Sequence, residues 1–219
     1  MEQGDYSIAI SKEQLSGLPV MTFGGKISVI SSPGMIRPAI ELLRQQPLVG
    51  FDTETKPAFR KGQTHNVALM QVSGPDLCFL FRLNHTGITD EMAEWLADEN
   101  CRKVGLSLRD DFHQLHKIKE FEPGGFIELQ TLVRDYHITD SSLQKIYGII
   151  FGKRISKSQR LSNWEAQTLT EGQLAYAALD AWACLNIYNH LADGSFNPAE
   201  SQYIVRQEDE DEGLAPAGE

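Results

Sequence analysis

The sequence has few cysteines and no long hydrophobic run, and each shortage excludes a class of protein. Its 3 cysteines, at positions 78, 101 and 184, are too few and too widely spaced for a disulfide framework or a C-x-x-C zinc site. The longest strongly apolar run, 77–81, is far shorter than the ~20 residues of a membrane helix. Residues 1–10 lack the basic patch and apolar stretch of a secretory signal. We therefore expect a cytoplasmic protein with reduced, buried thiols and no membrane association.

Positive charge is also scarce, with 20 Lys and Arg against 30 acids and a formal charge of −10. Six of the acids lie in 208–219, and without them residues 1–207 carry only −4. A hydrophobic fraction of 41% excludes disorder of the whole chain. The length and composition predict one folded domain at 25–193, an N-terminal extension at 1–24 and an acidic, disordered C-terminal tail at 194–219.

The hydrophobic pattern predicts an α/β fold. Residues 47–53 form a continuous apolar run that ends in an acid, which is typical of a buried central strand. Segments 66–73 and 77–83 flank the turn residues of 74–76 and predict a hairpin. Short strands at 102–106 and 126–128 then alternate with helices, and the last helix begins at Thr170 and runs to about Leu191. We expect a mixed sheet, with three antiparallel strands followed by parallel ones, covered by helices.

Two carboxylates, Asp52 and Glu54, stand at the end of the predicted central strand. Residues i and i+2 of a strand point to the same face, so both acids should converge at the rim of the sheet. For a D-x-E motif taken alone, a polar strand end that enters a loop is the more common interpretation.

Tyr176 and Asp180 are four residues apart on the last helix and share a face beside its apolar stripe, where the helix would border a cleft. A partly buried tyrosine and a solvated aspartate would also fit. Asp110 and Asp111 open another predicted helix, where acids are common because they complement the helix dipole. Together these carboxylates favour hard cations such as Mg²⁺ or Mn²⁺, and their mutual repulsion calls for such a ligand.

Three ordered motifs carry a family resemblance: 49–54, 103–115, and 161–164 with 169–180. Over about residues 45–192 the chain resembles the DEDD superfamily of 3′-5′ exonucleases, and specifically the tyrosine branch (DEDDy) that includes ribonuclease D and the Werner syndrome exonuclease domain. The resemblance implies a ribonuclease H-like fold for an exonuclease domain at 25–193. It also implies two Mg²⁺ or Mn²⁺ ions and hydrolysis of phosphodiester bonds from the 3′ end of a nucleic acid.

The same resemblance implies roles for five side chains. Asp52 would contact both ions, Glu54 and Asp180 would complete the first ion's site, and Asp111 would hold the second ion. Tyr176 would orient the attacking water.

Asp111 is preferred to its neighbour Asp110 because the family places its acid four residues before a leucine on the helix face, here Leu115.

A basic segment precedes the third motif. Between Gly152 and Trp164 it contains four cations and no acid. The cations are Lys153, Arg154, Lys157 and Arg160. We interpret the four as a track for the phosphates of a nucleic acid, against the alternative of a solvated basic loop. Trp164 could stack on a base or could belong to the core.

Three alternatives to the main interpretation remain open. His113 and His116 could form a metal pair, although histidines on a helix surface are far more common. A catalytically silent nucleic-acid-binding module of the same fold would keep the family motifs without hydrolysis. A metal-binding module unrelated to nucleic acid would leave the basic segment unexplained.

Overall fold

The computed structural model describes residues 6–206. Its strands are β1 (Tyr6–Ile8), β2 (Lys26–Ile30), β3 (Leu48–Thr55), β4 (Val67–Ser73), β5 (Leu77–Phe81), β6 (Arg102–Gly105), β7 (Phe126–Glu128) and β8 (Ile204–Arg206). Its α-helices are α1 (Lys12–Ser16), α2 (Ile36–Leu43), α3 (Leu83–Thr86), α4 (Asp90–Leu96), α5 (Leu108–Leu115), α6 (Leu129–Leu132), α7 (Leu143–Phe151) and α8 (Glu171–Ala192). Short 3₁₀ helices lie at Pro33–Met35, Val133–Tyr136 and Pro198–Glu200.

The main sheet is mixed and has the strand order β2-β5-β4-β3-β6-β7. Strands β3, β4 and β5 are antiparallel neighbours, whereas β6 runs parallel to β3 and β7 parallel to β6. Strand β2 adds a parallel edge beside β5. The predicted α/β fold, with three antiparallel strands followed by parallel ones, is therefore confirmed. Its central strand β3 buries Val49 and Phe51 completely, because helices cover both faces of the sheet.

Helix α8 is fixed at its start and lies directly against β3. Thr170 caps the helix by accepting a hydrogen bond from the backbone N–H of Gln173, whose side chain completes a capping box. The backbone of α8 approaches β3 so closely at Gly50 that a Cβ there would lie 1.8 Å from the carbonyl oxygen of Ala181. This contact sets the position of every α8 side chain relative to the end of β3.

Trp164 belongs to the core. Its side chain is fully buried, and its ring centroid lies 6.0 Å from that of Tyr176. The alternative that this tryptophan stacks on a base is therefore wrong, because no ring face is accessible.

The two predicted flanking segments are folded where the structure describes them. Strands β1 and β8 pair with each other, and Ile8 and Ile10 are buried in the core. The predicted disorder is thus wrong for residues 194–206, because a strand pair between the two ends of the chain leaves no local pattern in either. The acids at 208–212 lie outside the described residues. The boundaries at 24 and 193 stay predictions.

All three cysteines are buried and unpaired. Within residues 6–206, no helix is long and apolar enough to cross a membrane.

The Gly50→Ala substitution should destabilise the protein by about 1–3 kcal/mol, because the added methyl group forces β3 and α8 apart. Urea denaturation measures this loss. Gly34→Ala is the matched control, since a Cβ at Gly34 meets no atom within 4 Å. Equal stabilities of the two variants would contradict the inferred contact.

Candidate active site

Three carboxylates meet where β3 ends against α8. Asp52 and Glu54 project from the same face of β3, and α8 supplies Asp180. One carboxylate oxygen from each residue lies within 4.8 Å of the other two. Glu54 and Asp180 are buried, whereas Asp52 is partly exposed to an open cleft of about 380 Å³ that all three line. The structure thus brings together the two motifs that the sequence separates by more than a hundred residues.

Tyr176 lies one helical turn before Asp180 and lines the same cleft. Its hydroxyl is near enough to the Asp180 carboxylate for hydrogen bonding to lower the pKa of that acid. Burial and the neighbouring charges of Asp180 and Glu54 raise the pKa of this phenol well above its usual value. At neutral pH this phenol is therefore uncharged.

The two candidate acids of α5 point in different directions. Asp111 is mostly buried and accepts a hydrogen bond from the Thr53 hydroxyl, between Asp52 and Glu54. Asp110 is exposed. Asp111 lies beside the group of Asp52, Glu54 and Asp180 and is not one of its three members. Asp111 does not line the cleft, but its charge is near enough to help raise the pKa of Glu54.

Ionising the three grouped carboxyls and Asp111 together costs free energy. Burial, and then the charges of Asp52 and Asp180, raise the pKa of Glu54 to about 10, although Arg160 lowers it in part. Burial raises the pKa of Asp180 to about 7, although hydrogen bonding from Tyr176 lowers it in part. Burial and the charge of Asp52 raise the pKa of Asp111 to about 8. For Asp52, burial and Asp180 raise the pKa well above its usual range.

This donor set fits a hard divalent cation. It consists of carboxylate oxygens, which Mg²⁺ and Mn²⁺ prefer. Burial first, and then the neighbouring charges, make the ionised carboxylates costly here, and a bound cation would favour their ionised form. Asp52, Glu54 and Asp180 could together hold one such ion.

The structure divides the basic segment. Lys157 and Arg160 line the cleft. Arg154 instead donates from Nε to the carbonyl oxygen of Leu18 at 3.1 Å, and its backbone bridges to Val20, so it anchors the N-terminal segment. Lys153 is exposed and does not line the cleft.

A residue that the sequence did not single out, Glu128, positions α5. Its carboxylate accepts hydrogen bonds from the backbone N–H groups of Ser107 at 3.1 Å and Leu108 at 2.8 Å. Ser107 adopts a left-handed conformation with φ 64° at this helix start. Glu128 ends β7, beside β6, and no local sequence pattern marks it for this role.

The histidine pair of α5 does not contribute to the site. His116 Nε2 lies 2.9 Å from the carbonyl oxygen of Phe121, and His113 is exposed. Neither belongs to the acidic group formed by the described residues.

Comparison with known proteins decides the family. A model of the 3′-5′ exonuclease domain matches residues 28–194. The chain belongs to the 3′-5′ exonuclease family. The predicted resemblance to 3′-5′ exonucleases is confirmed at the level of this family.

Individual relatives agree with the family model. The chain is 30% identical over 153 residues to the mouse bifunctional 3′-5′ exonuclease/ATP-dependent helicase WRN. This alignment covers 67% of the chain and 11% of that protein. It is 29% identical over 203 residues to an Arabidopsis thaliana 3′-5′ exonuclease, and the alignment covers 84% of this chain and 69% of that protein. Over 158 residues it is 27% identical to ribonuclease D of Gluconacetobacter diazotrophicus, with 70% and 39% covered. The chain thus spans only a small part of some of these relatives.

Solved structures show the same fold. The Nibbler EXO domain of Aedes aegypti superposes with a TM-score of 0.72 at 22% identity, covering 83% of this chain and 97% of that one. Escherichia coli RNase D gives 0.69 at 21% identity, with 77% and 44% covered. The ribonuclease H-like fold is therefore confirmed.

Without metal, the protein should lose stability as pH rises from about 5 towards 10. The pKa of Glu54 rises from 4.5 to about 10 on folding, so between these values the folded chain binds more protons than the unfolded chain. Asp111 and Asp180 act in the same direction up to about 8 and 7. Thermal unfolding in EDTA at several pH values measures the slope.

Glu54→Gln should flatten this slope, whereas Glu41→Gln, an exposed control on α2, should leave it unchanged. A melting temperature that rises with pH in EDTA for the parent protein would contradict the inferred repulsion.

Proposed function

We propose that this protein removes nucleotides from a free 3′ end of a nucleic acid with the help of two Mg²⁺ or Mn²⁺ ions. Asp52, Glu54 and Asp180 would hold one ion, and Asp111 would join Asp52 in holding the other. The observation that carries the proposal is the buried convergence of three carboxylates at the end of β3 in a chain of the 3′-5′ exonuclease family.

Divalent ions bound there would lower the pKa of water and stabilise charge on the attacking and leaving oxygens. The protein's own groups have separate tasks. The Tyr176 hydroxyl, which lines the cleft, would orient the attacking water by hydrogen bonding. Lys157 and Arg160 border the same cleft and are suited to bind backbone phosphates of the substrate.

The basic segment supports nucleic acid as the substrate class, although its four members contribute differently. Lys157 and Arg160 face the acids, and a positively charged rim offsets the repulsion between a polyanion and an acidic cleft. Lys153 is exposed and free of the cleft lining, so it would contact a strand only beyond the cleft. Arg154 is occupied with Leu18 and supports the segment's position.

We also propose that the protein acts in the cytoplasm. Three buried thiols without a disulfide are typical of a reducing compartment.

Asp52→Asn should abolish hydrolysis while the protein stays folded, because the substitution removes a ligand shared by both ions together with one of the repelling charges. The assay varies the concentration of Mg²⁺ or Mn²⁺ and measures the release of mononucleotides from matched 3′-end-labelled DNA and RNA strands. Thermal unfolding in EDTA should show equal or higher stability for the variant.

Full turnover by Asp52→Asn would contradict the proposed role. Binding of both strands by the parent protein without release at any metal concentration would instead identify a silent nucleic-acid-binding module.

Asp111→Ala should lower turnover at least about 100-fold, because a ligand of an ion that stabilises several kcal/mol of developing charge is lost. Asp110→Ala removes the same charge one residue away on an exposed face and should stay within about twofold of the parent protein. Rates measured on the same labelled strand decide between them. A larger loss for Asp110→Ala would reverse the assignment.

A further inference from the structure

The segment between β3 and β4, residues 56–66, is called here the β3–β4 loop. It carries Phe59, whose 78% exposure exceeds that of the other exposed large hydrophobic residues among those described. A phenylalanine so exposed buries little apolar area within the fold. Its ring is available to a ligand.

The β3–β4 loop is tied down at both ends to one residue. Lys56 Nζ lies 3.2 Å from one carboxylate oxygen of Glu165, and His65 Nδ1 lies 2.8 Å from the other. Glu165 follows the fully buried Trp164. The ends of the loop are therefore fixed against the segment that leads into α8.

The segment that leads into α8 is in turn hydrogen-bonded to that helix. The side-chain amide of Gln173, in the first turn of α8, donates to the Ser162 hydroxyl at 3.2 Å and to the Asn163 carbonyl at 3.3 Å. Arg160, two residues before Ser162, lines the acidic cleft. No residue of the β3–β4 loop lines the cleft itself, but Glu165 joins the loop to the segment that carries Arg160 at the rim of the cleft.

The tip of the loop is a positively charged turn. The backbone N–H of Gln63 donates to the carbonyl of Arg60 at 3.1 Å, and Gly62 supplies the φ of +82° that the turn needs. Arg60 and Lys61 are exposed and take part in none of the ion pairs found within residues 6–206. The loop contains no acid.

An exposed aromatic ring beside unpaired cations is the chemistry that binds single-stranded nucleic acid, because bases stack on the ring and cations contact the phosphates. Phe59 follows Glu54 by five residues, so an extended chain places it at most about 17 Å from the acids. A strand whose 3′ end lies in the cleft would therefore reach Phe59 within a few nucleotides of that end.

We propose that the β3–β4 loop is a second nucleic-acid contact, in which Phe59 stacks on an unpaired base and Arg60 and Lys61 bind phosphates of the strand leading into the cleft. The proposal rests on the proposed function, since it concerns the substrate of the same site. It adds a requirement that the acids alone do not impose: the nucleotides just before the reacting end must be unpaired.

The full chain is tested with a 12-nucleotide single strand in the presence of Mn²⁺. Phe59→Ala should raise KM about tenfold and leave kcat within about twofold, because the lost stacking binds the strand and not the reacting atoms. Phe59→Trp should retain the KM of the parent protein. Leu42→Ala, which truncates an exposed side chain on α2, is the control and should change neither constant.

A second arm measures the charges by fluorescence anisotropy of the labelled strand at several salt concentrations. The double variant Arg60→Ala/Lys61→Ala should reduce the salt slope of binding by about 0.7 for each lost phosphate contact. Lys12→Ala/Lys26→Ala removes the same charge at exposed positions of α1 and β2 and should keep the slope.

The outcomes separate the two proposals. If the parent protein binds the strand but releases no nucleotide, the proposed function fails, and the anisotropy of Phe59→Ala still decides the role of the loop. An unchanged KM and an unchanged dissociation constant for Phe59→Ala would overturn the proposed contact even in a fully active enzyme.

Discussion

The structure depends on holding several acidic groups close together in a poorly solvated place. Asp52, Glu54 and Asp180 ionise together only at a cost in free energy, because burial first and then the neighbouring charges raise the pKa of Glu54. The close backbone contact of β3 with α8 at Gly50 holds the two elements that carry these acids together. A divalent cation bound there would favour the ionised carboxylates and would thereby couple the stability of the chain to metal binding.

Much of this arrangement could be predicted from the sequence, because its signals are local. An apolar run that ends in Asp52 and Glu54 specifies a buried strand with two acids on one face. The i, i+4 spacing specifies that Tyr176 and Asp180 share a face of α8, and Thr170 marks where that helix begins. These are properties of consecutive residues, so periodicity and capping rules reach them.

The remaining features depend on contacts between distant parts of the chain. Nothing near Arg154 indicates that its guanidinium binds the carbonyl of Leu18, and nothing near Glu128 indicates that it caps α5. The strand pair β1–β8 joins the two ends of the described chain. Such partners become visible only when the sheet order is known, since each depends on which segments the fold brings side by side.

The separation between Asp111 and the three-carboxylate group has a structural origin. Asp52, Glu54 and Asp180 sit on two elements in direct backbone contact, whereas Asp111 sits on α5, whose start depends on the hydrogen bonds from Ser107 and Leu108 to Glu128. The hydrogen bond from Thr53 joins α5 back to β3 between the two acids of that strand. The three-carboxylate group is therefore set by the contact of two elements. Asp111 depends on the position of a third, α5, whose Leu108 and Leu115 are themselves buried in the core.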